Sequence, residues 1–115
     1  MKTQPNPHLA GVEDVEPSSI VTSNPDLYLI DVRREDEWRG PLGHIVEAKW
    51  VLLDTLPERL NEVPTDKTVI FVCHSGGRSG QAAKFCQAQG FRQVYNLQGG
   101  MLLWNQLGLP VTKES

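Results

Sequence analysis

The chain carries no surplus of basic charge: 11 lysines and arginines against 14 aspartates and glutamates leave a formal net charge of -3 and an isoelectric point near 5.5. Its cations are scattered rather than clustered, so the electrostatic footprint of a nucleic-acid partner is missing. Long apolar runs are missing too. No segment approaches the ~20 residues of a membrane helix, and the opening MKTQPNPHLAG lacks the apolar stretch of a secretory signal. A soluble, cytoplasmic protein with no membrane partner is expected. Cysteine is scarce: the 2 present, in a chain without an export signal, are expected to be reduced thiols, each either core filler or chemistry. With the 3 histidines they lack metal-ligand spacing, so no metal is expected. Trp38, Trp50 and Trp104 form no stacking array for bases and are expected to pack.

What is present is enough for one core: 115 residues, 39% of them hydrophobic, fit a single domain that buries roughly two-thirds of its unfolded surface. There is no repeat, low-complexity segment or linker. A tail over residues 1–10 and a single domain over 11–115 are expected, with residues 1–10 and 113–115 mobile. Leu27 to Val32 (LYLIDV), after the turn residues Ser23, Asn24 and Pro25, reads as a buried strand. A short strand over 11–15 and a brief helix over 17–22 precede it. Ala48 to Leu53 offers a further strand, and Pro57 to Asn61 a helical turn. The strongest strand is Thr68 to Cys73 (TVIFVC), a continuous apolar run suited to burial on both faces. Helical spacing follows over 79–89, with Gly90 placed to end it. Phe91 to Leu97 gives a strand again, and Met101 to Leu107 a last helix stopped by Gly108 and Pro110. Strands alternating with helices imply an α/β fold: a central, mostly parallel five-stranded sheet with helices on both faces.

This order places CHSGGRS (73–79) between the carboxyl end of a central strand and the start of a helix, where open α/β sheets bind ligands. A helix start offers unpaired N–H groups and partial positive charge. Gly76 and Gly77 are expected to take positive φ and turn successive N–H groups inward. A thiol at the bottom of such a cup has its anion stabilised, so the Cys73 pKa is expected below the ordinary value of about 8.5, making Cys73 a thiolate nucleophile. Arg78 is anomalous, because a cation in the first helical turn opposes the helix dipole; an anion is expected to compensate. Its guanidinium suits sulfonate, sulfate or phosphate oxygens. Cys86 shares a helical face with Ala82 and Ala83 and is assigned to the core.

Three stretches then carry a family likeness: LIDVRREDEWRGPLGHI (29–45), VIFVCHSGGRSGQAAKF (69–85) and GFRQVYNLQGGMLLWNQLGLPV (90–111). In this order they resemble the early signature, active-site loop and closing signature of single-domain rhodanese sulfurtransferases. The resemblance implies ping-pong chemistry: Cys73 takes the outer sulfur of a small anionic, thiosulfate-like donor as a persulfide and passes it to cyanide, a thiol or a protein acceptor. It implies no cofactor. Arg78 is expected to hold the donor's sulfonate end, His74 to sit at the rim, and the N–H groups from Ser75 through Gly76, Gly77 and Arg78 to Ser79 to stabilise the sulfur anions. Asp31 and Arg33 are expected to support the loop from behind, an ion pair with Glu37 being an equal alternative. His44 is expected to be structural. Only one cation, Arg78, belongs to the loop, which implies a broader sulfane-sulfur specificity than that of richly basic versions. Two rivals stand beside this reading. One is a sulfur-carrier or protein-recognition module that works only with a partner. The other is a thiol-dependent phosphatase or arsenate reductase, disfavoured because four residues rather than five separate Cys73 from Arg78.

Overall fold

The computed structural model describes residues 1–114; Ser115, the end of the expected C-terminal tail, lies outside the described residues. The element order is β1 (Thr3–Pro5), β2 (Glu13–Val15), a 3-10 turn at Pro17–Ser19, β3 (Leu27–Asp31), α1 (Glu35–Trp38) and β4 (Lys49–Trp50). Two further 3-10 segments, Leu53–Glu58 and Leu60–Glu62, lead to β5 (Thr68–Val72), α2 (Gly77–Ala88), β6 (Val94–Leu97) and α3 (Gly100–Gln106). The strands form one sheet in the order β1-β2-β6-β5-β3-β4, parallel except for the β1–β2 pair.

The sheet has six strands rather than five. The additional one is β1, within the segment that composition assigns to a tail. Its three side chains are all exposed, so it is held through backbone pairing of residues 3–5 with 13–15 and leaves no apolar alternation to read. The residues after it are stitched to α2: Lys84 Nζ donates to Ala10 O at 2.6 Å, and Gln87 Nε2 to Gly11 O at 2.8 Å. A Cβ on Gly80 would stand 2.9 Å from Leu9 Cδ1, which shows how closely this segment lies on the helix.

The run TVIFVC is buried on both faces, as its lack of alternation implies. Val69, Phe71 and Cys73 point to one side, where Ala82, Ala83 and Cys86 of α2 pack with Leu56 and Val63 from the 3-10 region. Ile70 and Val72 point to the other, against Met101 and Trp104 of α3, with Trp38 and Ile45. Helical elements thus cover both faces, and the period of two along β5 sends Cys73 to the face over which its own crossover helix runs.

Trp104 anchors the α3 layer. It is 2% exposed, and its indole N–H donates to Pro110 O at 2.9 Å, tying the chain beyond the helix back onto it. Trp104→Ala is expected to cost about 3–5 kcal/mol of stability, read from urea denaturation midpoints. A loss under about 1 kcal/mol would mean that α3 is held mainly by its backbone contacts.

Candidate functional site

The carboxyl ends of β3, β5 and β6 converge on the loop after β5. Cys73 is the first residue past that strand, 1% exposed, and its Sγ accepts the Gly76 N–H at 3.1 Å. Ser79, in the first turn of α2, places its Oγ at 3.1 Å from the same sulfur. The first backbone bond of the helix runs from Gly80 N–H to Gly76 O, so the N–H groups of Gly77, Arg78 and Ser79 are the donors that a helix start leaves over. Among the loop N–H groups, that of Gly76 meets the buried sulfur. Of the two loop glycines, only Gly76 takes positive φ (+104°), as the residue before the helix. Gly77 is the first helical residue and is not in the left-handed region, because once Gly76 has made the turn the chain is already helical.

The loop is clamped from behind by α3. Met101 N–H donates to Cys73 O at 2.8 Å and Leu102 N–H to His74 O at 2.9 Å. Gly100, with φ +57°, lies so close that a Cβ would stand 2.5 Å from Cys73 O and 2.6 Å from His74 O. The Gly-Gly pair of the closing signature is therefore a close approach of backbone to backbone.

The anion that compensates Arg78 belongs to the chain itself. Its Nη1 and Nη2 donate to the two carboxylate oxygens of Glu37 at 2.7 and 2.8 Å, a bidentate pair between α2 and α1. Hydrogen bonding by Arg78 holds the Glu37 carboxyl well below its ordinary 4.5, at about 2. Glu37 also accepts the Arg34 N–H that opens α1, at 3.2 Å. Arg33 does not reach Glu37. It folds back on Asp31, both fully buried, with Nε and Nη2 within 3.1 Å of the carboxylate and Nη2 also donating to Gly43 O at 2.7 Å. Asp31 ends β3 and its Oδ1 accepts the Arg33 N–H, so the pair closes locally while Glu37, on the next helix, faces Arg78.

Two clefts flank the loop. One, about 340 Å³, is lined by His74 with Arg33, Asp36, Glu37, Pro41 and Leu42. The other, about 330 Å³, has Ser75, Gly76 and Gly77 on one wall and Asn6, Pro7, His8 and Leu9 on the other, with Asp14 and Asn96 also lining it. His74 and Ser75 to Gly77 thus face different sides. A third cleft, about 310 Å³, beside Lys67, Gln89 and Gln93, lies at the opposite end of the sheet.

Three polar residues at the site carry no motif in the sequence. Asn96 interrupts the apolar strand β6; its Nδ2 donates to Asp14 Oδ1 at 2.9 Å, its Oδ1 is hydrogen-bonded to Ser79 Oγ, and Asn6 Nδ2 also donates to Asp14 Oδ1 at 3.0 Å. A polar residue in each of two buried strands was the available signal. His44 is structural: stacked on Trp38 at 3.5 Å between ring centroids, with Nδ1 3.0 Å from Trp38 O. Cys86 is core, and burial pushes its thiol up to about 11. Among the described residues no group of three or more His, Cys, Asp or Glu side chains is placed to hold a metal, and no helix is long and apolar enough to cross a membrane.

Comparison with known proteins places the fold in a family. The family described as rhodanese-like domain matches residues 18–107. The chain belongs to the rhodanese-like family. It is 37% identical over 86 residues to a sulfurtransferase of Allochromatium vinosum, covering 75% of this chain and 78% of that protein. The crystal structure of reduced Bacillus anthracis CoADR-RHD superposes with a TM-score of 0.76 at 35% identity, covering 84% of this chain and 17% of that one. An NAD-dependent persulfide reductase from A. fulgidus gives a TM-score of 0.59 at 35% identity, covering 70% of this chain and 14% of that one. In those two proteins the rhodanese-like part is a small fraction of the whole, and their full activities are their own.

Two tests follow. Gly100→Ala is expected to destabilise the protein by about 2 kcal/mol or more, because strained φ and backbone overlap act together, while Gly77→Ala, with open space around it, is expected to be neutral or slightly stabilising. Urea midpoints for the pair check this; equal effects would separate Gly100 from the clamp. The second concerns acid. Because the Glu37 carboxyl is depressed in the folded chain, its contribution to stability is complete above its ordinary 4.5 and is lost as pH falls toward about 2. Urea midpoints between about pH 6 and pH 2.5 should therefore fall less steeply for Glu37→Gln than for the native chain. Parallel curves would mean that the ion pair contributes nothing.

Proposed function

We propose that this protein is a sulfurtransferase in which Cys73 carries a sulfane sulfur as a persulfide. The observation that carries the reading is the buried Cys73 sulfur at the foot of the α2 N-terminus, met by the Gly76 N–H and the Ser79 hydroxyl at 3.1 Å each. Those donors and the helix dipole favour a sulfur anion at that point. Membership of the rhodanese-like family and the sulfurtransferase name of the Allochromatium relative support the same chemistry.

The cycle has two displacements. With thiosulfate as donor, the Cys73 thiolate attacks the outer sulfur, the donor's S–S bond breaks, and sulfite leaves with the electron pair, so that Cys73 holds a persulfide anion. An acceptor nucleophile, cyanide in an assay or a thiol of a small molecule or protein, then attacks the outer sulfur and restores the thiolate. No organic cofactor or metal takes part. Preorganised donors, the N–H groups of Gly76 and of the first turn of α2 with the Ser79 hydroxyl, stabilise the anion in both states. Arg78 holds the start of α2 against α1 through Glu37, and His74 lines the approach on that side.

Intact-protein mass spectrometry after brief exposure to thiosulfate tests the reading. The native chain is expected to gain one sulfur atom and to lose it to cyanide as thiocyanate, while Cys73→Ser gains none. Cys73→Ser is also expected to keep its stability to within about 1 kcal/mol, since Gly76 N–H and Ser79 can serve a hydroxyl. Sulfur uptake by the Ser variant, or its unfolding, would return Cys73 to the role of core filler.

A further inference from the structure

The cations beside the loop are all matched within the chain. Arg33 is paired with Asp31 at 2.9 Å, Arg34 with Asp36 at 3.0 Å, Arg39 with Glu35 at 3.1 Å and Arg78 with Glu37 at 2.7 Å. The cleft on the His74 side contains Asp36 and Glu37 among its lining residues. Arg78, the one cation in the loop sequence, is engaged through both terminal nitrogens by the Glu37 carboxylate, the two side chains being 33% and 16% exposed. A bidentate, partly buried pair of this kind is held by geometry as well as by charge, and a second anion has to displace Glu37 to use the same donors.

We infer that Glu37 is a specificity-determining residue: by occupying Arg78 it turns the site away from doubly charged donors such as thiosulfate and toward low-molecular-weight persulfides, whose leaving group is a thiol. The inference rests on the persulfide cycle proposed above and names its donor class. With thiosulfate the leaving group is the sulfite dianion, whose departure a free cation close to the loop would speed. With a persulfide RSSH, the Cys73 thiolate attacks the outer sulfur and the S–S bond breaks. RS⁻ leaves and takes up the proton of the transferred sulfur, giving Cys73–S–S⁻ and RSH. Backbone N–H donors alone match the single negative charge handled there. The position of Glu37 fits such a role: it is the N3 residue of α1 and also accepts the Arg34 N–H, so its carboxylate is held from its own helix as well as by Arg78.

The test compares thiosulfate with cysteine persulfide as donors, cyanide as acceptor, for the native chain, Glu37→Gln and the double variant Glu37→Gln/Arg78→Gln. The native chain is expected to show a kcat/KM at least roughly tenfold higher for cysteine persulfide. Glu37→Gln, with Arg78 released, is expected to lower KM for thiosulfate roughly tenfold with little change in kcat, the size of one added charge-assisted contact, and to leave KM for cysteine persulfide within about threefold. If Glu37→Gln does not fold, the double variant decides: charge at the mouth is then unaltered in sum, and KM for thiosulfate should stay within about threefold of native. A rise of tenfold in the double variant would show that Arg78 binds thiosulfate in the native chain and would overturn the inference. So would a change in Glu37→Gln that is the same for both donors, or a native preference for thiosulfate. Each of these leaves Cys73 loaded with sulfur and the cycle intact; no loading of Cys73 from either donor would overturn the cycle and the inference together.

Discussion

The site depends on a backbone contact rather than on any side chain. The carbonyl oxygens of Cys73 and His74 are taken by the first N–H groups of α3, and because every described peptide bond is trans, the N–H groups of His74 and Ser75 point away from α3. The loop is thereby forced to bend around the cysteine sulfur. Gly76 can complete the bend because it has no Cβ, and Gly100 permits the close approach for the same reason. One helix thus supplies its N-terminus to the loop carbonyls while another, α2, presents its own N-terminus to the sulfur. Two helix starts meet around the six residues from Cys73 to Arg78 and form a cup about the sulfur.

Much of this was legible because the signals are local and strong. A continuous apolar run of strand length, followed by glycines and helical spacing, can hardly be placed elsewhere than at the carboxyl end of a central strand. The period of two then puts Cys73 on the side of the sheet that α2 covers. What escaped reading is non-local. β1 pairs through its backbone and carries no apolar pattern, so composition assigns it to a tail. α1 has only four residues, too few for periodicity to show. The partner of Arg78 lies 41 positions away, and Asn96 meets an aspartate 82 positions away. Local sequence could say that Arg78 required an anion; it could not say that the anion was already present. That single difference gives the loop cation a partner within the fold, on the neighbouring helix α1.

The same economy governs charge elsewhere. The buried Arg33–Asp31 pair sits at the end of β3, and Arg33 Nη2 also donates to the Gly43 carbonyl, which holds the turn before Ile45. A buried pair of this kind adds little net stability, but removing one partner leaves an uncompensated charge, so it fixes geometry more than it adds energy. That pair closes the segment after β3 on itself, and the Arg78–Glu37 pair ties the same segment to the start of α2.

Opposite this side lies a hydrogen-bonded chain from Asp14 through Asn96 and Ser79 to Cys73. Asp14 accepts hydrogen bonds, so the amide nitrogen of Asn96 must face it and the amide oxygen must face Ser79. The Ser79 hydroxyl has one proton and two acceptors in reach, Asn96 Oδ1 and Cys73 Sγ. When the sulfur carries its own proton, it can donate to Ser79 Oγ while the hydroxyl donates to Asn96. When the sulfur is an anion, the hydroxyl can rotate to donate to it with no movement of the backbone. A hydroxyl held by an oriented amide can therefore act as either donor or acceptor toward the sulfur. The buried polar residues in β2 and β6, which add nothing to the apolar core, thus orient the hydroxyl beside Cys73.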